Sequence, residues 1–218
     1  STLFPYTTLF RSLAEELSCS ICRPQEMSRY VESGMLDAGI TGKDWTLENE
    51  SDVAVVANLV YSKVSRKPAR WVVAVPQDSG ISTVEQLHGK RVATELVNVS
   101  RRFFESRGIE VDISFSWGAT EAKAVSGLAD AIVEITETES TIRANGLKVI
   151  HELMQSNVQL IANHAAMADP WKANKIGNIA MLLQGALRAD RIVGLKMNVP
   201  ASRLDEVIGL LQIGRAHV

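Results

Sequence analysis

Short apolar runs alternate with amphipathic segments along most of the chain, and this alternation restricts the fold more than any other feature. From about Ser18 onward, runs such as VAVVANLV and WVVAVP predict strands, whereas PQEMSRYVESG and NVSRRFFESRG predict helices. Strands that alternate with helices are typical of α/β proteins. The sequence therefore predicts an α/β fold with mainly parallel sheets.

Composition and charge exclude several functional classes. Hydrophobic residues make up 46% of the 218 residues and charged residues 22%, as in ordinary globular proteins. The net charge is -2 and both signs are evenly mixed, which argues against a nucleic-acid partner. No apolar run approaches the roughly 18 residues that a membrane span needs. With no recognisable signal peptide, we expect a cytoplasmic protein without a membrane partner.

Local signals indicate where several elements begin. Ser82 and Glu85 have the spacing of a capping box and predict the start of a short helix. Asp169 followed by Pro170 predicts the start of the longest helix.

Cys19 and Cys22 form a CxxC pair, which can be a redox or metal motif. Because a second ligand pair is missing, we favour two small residues in a strand, CSICR.

The stretch LADAIVEITETESTIRANGL, residues 128–147, carries the strongest chemical signal. It predicts a buried strand, a hydroxyl-rich turn and a helix that begins near Thr141. Ligands of open α/β sheets bind at the carboxyl ends of strands, and a helix N-terminus attracts anions. A carboxylate at Glu134 could accept hydrogen bonds from a sugar while the turn holds its phosphate. The alternative is that these hydroxyls only cap the helix.

Four segments resemble one known family. Residues 121–147 are similar to the signature of ATP phosphoribosyltransferases, in which a glutamate precedes a GLADAIV strand, an acidic residue, a Thr-Gly-x-Thr phosphate turn and an A-N-x-L helix. Residues 23–45, 91–111 and 182–211 resemble other parts of the long-form enzymes. The resemblance covers about 200 residues of this chain.

The resemblance implies a two-lobed fold like that of type II periplasmic binding proteins. Lobe I would comprise 13–68 and 142–189, and lobe II 69–141, with a crossing near Pro68 and a return near 141–151. Residues 190–212 would be the first strand and helix of a ferredoxin-like regulatory domain. Residues 1–12 and 213–218 lack a regular pattern and look non-native.

The implied reaction joins ATP, at adenine N1, to 5-phosphoribosyl 1-pyrophosphate, and it releases pyrophosphate in the first step of histidine biosynthesis. The family also implies Mg²⁺ and a homo-oligomer, from dimer to hexamer. Candidate catalytic residues are Asp130, Glu134 and Glu121, the acidic positions of the signature. Candidate substrate-binding residues are those of the turn and of the first segment: Thr138, Glu139, Ser140, Thr141, Arg23, Gly42 and Lys43.

Each candidate has a simpler alternative. Asp130 could be a turn residue, Glu121 a solvated helix start, and Arg23 half of a salt bridge between lobes. Gly42 and Lys43 could form an ordinary turn.

Three departures from the family pattern matter. Glu139 replaces the glycine of the turn, the family's amino-terminal segment has no counterpart, and the regulatory domain is short. We therefore expect this chain to be poorly active. The alternative function is a two-lobed small-molecule binding module without catalysis, because fold alone does not separate the two.

Overall fold

A computed structural model describes residues 16–59, 69–189 and 198–210. The chain divides into two compact units, Ser1–Leu187 and Arg188–Val218. The first unit contains two β-sheets with their helices. In the second unit, a 3-10 turn at Ala201–Arg203 leads into α8, Leu204–Leu210, where a helix is predicted. The strand predicted before it falls outside the described residues except for 198–200, which are irregular.

The smaller sheet has three strands in the order β1-β8-β2, with β1 at Ala38–Gly42, β2 at Ala54–Leu59 and β8 at Val158–Ala162. The central strand β8 is antiparallel to both neighbours. Successive side chains of β8 point to opposite faces of the sheet and pack in different hydrophobic clusters, as strand geometry requires. Ile161 packs with Val31 of helix α1, Pro24–Glu32, and Leu160 packs with Ile176 of helix α7, Pro170–Ala189. Helices α1 and α7 therefore cover opposite faces of this sheet.

The larger sheet has five strands in the order β5-β4-β6-β3-β7. They are β3 at Ala69–Pro76, β4 at Arg91–Thr94, β5 at Asp112–Phe115, β6 at Ala131–Thr136 and β7 at Leu147–Ser156. Strand β4 is parallel to β5 and β6, whereas β3 is antiparallel to β6 and β7. The α/β fold class is confirmed, and both sheets contain antiparallel pairings, so the parallel part is the β5-β4-β6 half of the larger sheet.

Strand β3 forms the centre of the larger core. Trp71, Val73 and Val75 belong to the cluster on one face of the sheet, and Val72 and Ala74 to the cluster on the other. All five are almost completely buried. A strand covered on both faces needs apolar side chains at every position. This explains why the apolar run WVVAV is uninterrupted.

The helices that begin in the first unit are α1 at Pro24–Glu32, α2 at Lys43–Glu48, α3 at Val97–Glu105, α4 at Thr120–Val125, α5 at Ser140–Ala144, α6 at His164–Ala168 and α7 at Pro170–Ala189. The predicted start of α7 is confirmed: Asp169 Oδ1 accepts hydrogen bonds from the backbone N–H groups of Trp171 (2.9 Å) and Lys172 (3.1 Å). Within the described ranges, no helix combines the length and hydrophobicity needed to cross a bilayer.

Two local predictions were wrong. Residues 19–23 do not form a strand but an irregular segment, in which the partly buried Cys22 thiol lies 3.7 Å from Met27 Sδ. The 3-10 turn at Val84–Leu87 begins one residue later than predicted, because Thr83 and Gln86 form the capping box. The sequence ISTVEQ contains both spacings, and Gln86 Oε1 accepts from the Thr83 N–H at 3.1 Å.

The chain passes from the larger to the smaller sheet at Asn157, between β7 and β8. The sequence placed this return near 141–151. Strand β7 instead pairs with β3 along its whole length, from Leu147 to Ser156. The other crossing was predicted near Pro68, which lies outside the described residues. The division into two lobes at these residues otherwise remains a prediction.

Candidate functional site

The carboxyl ends of β4, β5 and β6 meet at one edge of the larger sheet because these strands are parallel. Ligands of such sheets bind beyond this edge. Glu95 follows β4, Trp117 follows β5 closely, and β6 runs into the hydroxyl turn. The candidate site therefore lies at this edge of the larger sheet.

The hydroxyl turn, residues 136–141, is closed by a hydrogen bond within itself. The Glu139 N–H donates to Thr136 Oγ1 at 2.8 Å, and the chain then enters α5 at Ser140. The hydroxyl oxygens of Thr138 and Ser140 lie 3.0 Å apart, and both residues are exposed, as is Thr141. Since α5 has only five residues, these hydroxyls rather than a long helix dipole are the groups available to an anion.

Glu139 occupies the glycine position of the turn with a left-handed backbone, φ 61° and ψ 8°. Its carboxylate forms ion pairs with Arg70 (2.8 Å) and Arg143 (2.9 Å), and its side chain is 19% exposed. Hydrogen bonds from Arg70, and then from Arg143, lower the pKa of the Glu139 carboxyl. The position thus adopts the conformation that normally selects glycine, and the extra carboxylate is held by two guanidinium groups.

Glu134 lies half-buried near the carboxyl end of β6. Burial raises the pKa of the Glu134 carboxyl, although the hydrogen bond from the Ile135 N–H opposes this change. The Ile135 N–H donates to Glu134 Oε1 at 3.1 Å. Repulsion from Glu121 and Glu95 raises this pKa further. The predicted residue Glu121 and also Glu95, which the sequence analysis missed, therefore lie near enough to Glu134 to affect its ionisation.

Asp130 is not brought to the turn. It precedes β6, at the end of that strand opposite the turn, and the six residues of β6 separate the two by about 20 Å. Its carboxylate accepts hydrogen bonds from Arg91 Nε (3.1 Å), Arg91 Nη2 (3.1 Å) and the Arg91 backbone N–H (2.9 Å). These bonds lower the pKa of the Asp130 carboxyl. Asp130 thus fastens β6 to β4 rather than facing a sugar at the turn.

Arg23 reaches the functional edge but contacts an aromatic ring rather than an acid. Its guanidinium carbon lies 4.9 Å from the centroid of a Trp117 ring, which is within cation–π range. Trp117 is 55% exposed and also packs against Phe115, with 6.0 Å between ring centroids. Sequence reasoning missed Trp117. The signal for it in the sequence is a large aromatic residue directly beyond a predicted strand.

Gly42 and Lys43 lie where β1 passes into α2, a helix that the sequence analysis did not predict. A Cβ atom on Gly42 would lie 2.0 Å from Asp44 Oδ1, so glycine leaves room for this carboxylate. Asp44 is 3% exposed and accepts hydrogen bonds from Trp71 Nε1 (2.7 Å) and the Trp45 N–H (3.1 Å). Gly42 therefore has a packing role, whereas Lys43 is exposed.

A second buried acid of α2 caps a helix of the larger sheet. The Glu48 carboxylate accepts hydrogen bonds from the backbone N–H groups of Asn98 and Val99, each at 2.9 Å, in the first turn of α3. Arg102 of α3 donates in return to the Leu47 carbonyl at 2.7 Å. Helix α2, which follows β1 of the smaller sheet, is thus fastened to the larger sheet by Asp44 and Glu48. Sequence reasoning missed this connection.

The described residues contain no group of three or more His, Cys, Asp or Glu side chains placed to hold a metal ion. A surface depression of about 500 Å³ lies between α3 and β5, lined by residues such as Phe104, Gly108 and Ile113. No residue of the hydroxyl turn lines it. The chemistry at the edge of the sheet, rather than this volume, therefore locates the candidate site.

Two sheets joined at Asn157 and through α2, with a hydroxyl turn at the edge of the larger sheet, define a two-lobed α/β protein of the type II periplasmic-binding kind. A family model described as ATP phosphoribosyltransferase matches residues 23–185. Because the match covers more than half of the chain, the chain belongs to the ATP phosphoribosyltransferase family. It is accordingly a transferase of the first step of histidine biosynthesis.

Relatives named ATP phosphoribosyltransferase are similar along most of the chain. The protein of Desulfatibacillum aliphaticivorans is 63% identical over 196 residues, which cover 90% of this chain and 67% of that protein. ATP phosphoribosyltransferase 1 of Geobacter sulfurreducens is 57% identical over 197 residues, with 90% and 68% covered. The chain thus spans about two thirds of the length of these relatives.

Solved structures agree with the assignment. An ATP phosphoribosyl transferase (HisG:HisZ) complex from Thermotoga maritima is similar with a TM-score of 0.70 and 28% identity, over 81% of this chain and 82% of that one. The periplasmic aliphatic sulphonate binding protein SsuA from Escherichia coli has a TM-score of 0.58 at 18% identity, over 85% and 69%. The second likeness concerns the fold alone.

Proposed function

We propose that the protein transfers the phosphoribosyl group of 5-phosphoribosyl 1-pyrophosphate to N1 of ATP. In this displacement the bond from the anomeric carbon to the pyrophosphate oxygen breaks, and pyrophosphate leaves with the electron pair. A bond from adenine N1 to the same carbon forms. The observation that carries the proposal is the closed hydroxyl turn at the carboxyl edge of the larger sheet, beside Glu134.

The turn would hold the 5-phosphate of the substrate. Thr138 and Ser140 present two hydroxyls 3.0 Å apart, which is close enough for both to contact one phosphate. Thr141 supplies a third exposed hydroxyl in the next position. Such contacts position the substrate without taking part in bond breaking, and positioning alone supplies a large part of the rate in reactions of this type.

Glu134 and Glu121 would act next to the ribose. An ionised Glu134 can accept hydrogen bonds from sugar hydroxyls, and negative charge beside the anomeric carbon stabilises a centre that becomes positive as pyrophosphate leaves. Substrate binding would oppose the raised pKa of Glu134, because a hydrogen bond or a cation favours its ionised form. Asp130 takes no part in this arrangement because it lies at the other end of β6.

Mg²⁺ would be bound jointly by protein carboxylates and by the pyrophosphate of the substrate. Mg²⁺ is commonly held by one or two carboxylates together with substrate phosphates rather than by an all-protein cage. The carboxylates near Glu134 provide the first kind of ligand, and the pyrophosphate provides the second. When bound there, Mg²⁺ would neutralise charge on the leaving pyrophosphate. Arg23 and Lys43, both exposed, are the proposed contacts for the remaining phosphates.

We also propose a homo-oligomer in the cytoplasm. The Thermotoga maritima structure is a complex of more than one kind of chain, so association with other chains is within the range of this family.

Isothermal titration calorimetry with Mg²⁺ and 5-phosphoribosyl 1-pyrophosphate tests the function. We expect binding by the natural chain, and a loss of about tenfold or more in affinity for a Thr138→Val/Ser140→Ala variant, because two hydrogen bonds to a charged group are lost. The control is Ser106→Ala/Ser126→Ala, which changes two exposed serines outside the turn and should leave the affinity for 5-phosphoribosyl 1-pyrophosphate unchanged.

The alternative is a binding module without catalysis, which the fold likeness to SsuA supports. Alkanesulfonates and amino acids titrated in the same way distinguish the two functions. Binding of one of these ligands, without binding of 5-phosphoribosyl 1-pyrophosphate, would overturn the transferase proposal. Pyrophosphate release that depends on both ATP and 5-phosphoribosyl 1-pyrophosphate would exclude the module.

A further inference from the structure

Glu139 lies in a backbone conformation that residues other than glycine rarely adopt. Its φ of 61° places it in the left-handed region. For a residue with a Cβ atom this conformation lowers the population of the turn by about 5- to 30-fold relative to glycine. Some other interaction has to offset this disadvantage if the turn is to hold its hydroxyls in place.

Two arginines hold the Glu139 side chain from two directions. Arg70 belongs to β3, where it is the register partner of Thr136 at the end of β6. Arg143 lies one turn into α5 and reaches the other carboxylate oxygen of Glu139 at 2.9 Å. The carboxylate is therefore held between a strand and a helix, on either side of the turn.

Arg70 is the better anchored of the two arginines. Its Nη1 atom also donates to Glu152 of β7 at 3.2 Å, while Nη2 donates to Glu139 at 2.8 Å. The Arg70 side chain is 29% exposed, compared with 71% for Arg143. The hydrogen bonds that Arg70 donates to Glu139, and then to Glu152, raise the pKa of its guanidinium. Glu139 thus meets a guanidinium that is already fixed in position by the sheet.

We propose that Arg70 is a positioning residue for the phosphate turn and that it acts through Glu139. The contact holds Glu139 in its left-handed conformation, and this places the flanking hydroxyls of Thr138 and Ser140 for the 5-phosphate. The inference rests on the proposed function of the turn. It implies that the turn depends on Arg70 because position 139 is a glutamate, and that glycine at this position removes the dependence.

A double-mutant cycle separates this indirect role from direct phosphate binding by Arg70. The dissociation constant for 5-phosphoribosyl 1-pyrophosphate with Mg²⁺ is measured for the natural chain, Arg70→Met, Glu139→Gly and the double variant. We expect Arg70→Met to weaken binding about five- to tenfold. Glu139→Gly should tighten binding a few-fold, since it removes both the strain and a negative charge. In its presence Arg70→Met should change binding less than twofold.

Glu152→Gln is the matched control, because it removes the charge of the other ion pair of the same guanidinium, keeps an acceptor oxygen for Arg70 Nη1 and leaves Glu139 in place. It should change the dissociation constant less than twofold. If Arg70→Met does not fold, Arg143→Met tests the same coupling from the helix side, with a smaller expected loss of about two- to threefold that Glu139→Gly again removes.

The outcomes keep the two proposals apart. If the natural chain does not bind 5-phosphoribosyl 1-pyrophosphate, the proposed function fails. If it binds, and Arg70→Met weakens binding equally with and without Glu139→Gly, Arg70 contacts the phosphate directly and the positioning role is refuted.

Thermal unfolding without ligand supplies a second measure of the coupling between Arg70 and Glu139. Arg70→Met should lower the melting temperature less in the presence of Glu139→Gly than alone, and an equal decrease contradicts the coupling.

Discussion

Replacing Glu48 by alanine tests how α2 is fastened to the larger sheet. The buried Glu48 carboxylate accepts two backbone hydrogen bonds of 2.9 Å from the first turn of α3. Hydrogen bonds to a charged group contribute about 1.5–3 kcal/mol each, and loss of a helix cap costs about 0.5–2 kcal/mol. The two bonds share one carboxylate and are not additive. We therefore expect Glu48→Ala to lower the free energy of unfolding by about 2–3 kcal/mol.

Thermal and urea unfolding measure this change. For a unit of this size, 1 kcal/mol corresponds to about 2–4 °C in melting temperature, so we expect a decrease of about 4–12 °C. Glu48→Gln keeps one acceptor oxygen, so its melting temperature should lie between those of the natural chain and Glu48→Ala. The control is Glu105→Ala, which changes an exposed glutamate at the other end of α3 and should stay within about 0.5 kcal/mol. Equal losses for Glu48→Ala and Glu105→Ala would refute the capping role.

In urea unfolding, Glu134→Gln should be more stable than the natural chain at pH 7.5 but not at pH 4. The pKa of the Glu134 carboxyl is raised in the folded protein above its ordinary value of 4.5, so the stability of the natural chain falls as the pH rises from 4.5 through the folded pKa. Gly42→Ala should lower the free energy of unfolding by about 1–3 kcal/mol in the same assay, because its Cβ displaces Asp44 Oδ1; a neutral effect would contradict the close contact. Glu139→Gly should change stability by less than about 1 kcal/mol, since the loss of two partly exposed ion pairs offsets the relief of strain, and a calorimetric loss above 2 kcal/mol would show that the ion pairs dominate.

The parts of the fold that could be predicted from sequence depend on neighbours along the chain. The buried strand β3 is recognisable because both of its faces are apolar, and α7 because Asp169 and Pro170 supply its own start signal. The capping box was placed one residue too early because ISTVEQ contains the same spacing twice, and only the position of Gln86 decides between them. Local patterns therefore gave the elements, with small errors at their ends.

The candidate site was predictable only where its residues share one segment. Glu134, Thr138 and Ser140 follow one another along β6 and its turn, so a single motif contains them. The assignment of Asp130 failed because its partner, Arg91, lies 39 residues away in a neighbouring strand. Glu48 escaped notice for the same reason, since its acceptor role depends on α3, about 50 residues further on. No periodicity in the sequence encodes such pairings.

The same distinction explains how the fold accommodates Glu139. Judged from its own segment, a glutamate in a glycine position adds strain and places negative charge beside a proposed phosphate. Judged from the tertiary structure, its carboxylate is paired with Arg70, which is 69 residues away and lies opposite Thr136 in the sheet. The arginine neutralises the charge and holds the strained conformation through one contact. A motif that requires glycine at position 139 would not recognise this turn. In the structure the same left-handed backbone is present with a glutamate, and its stability depends in part on the residue at position 70.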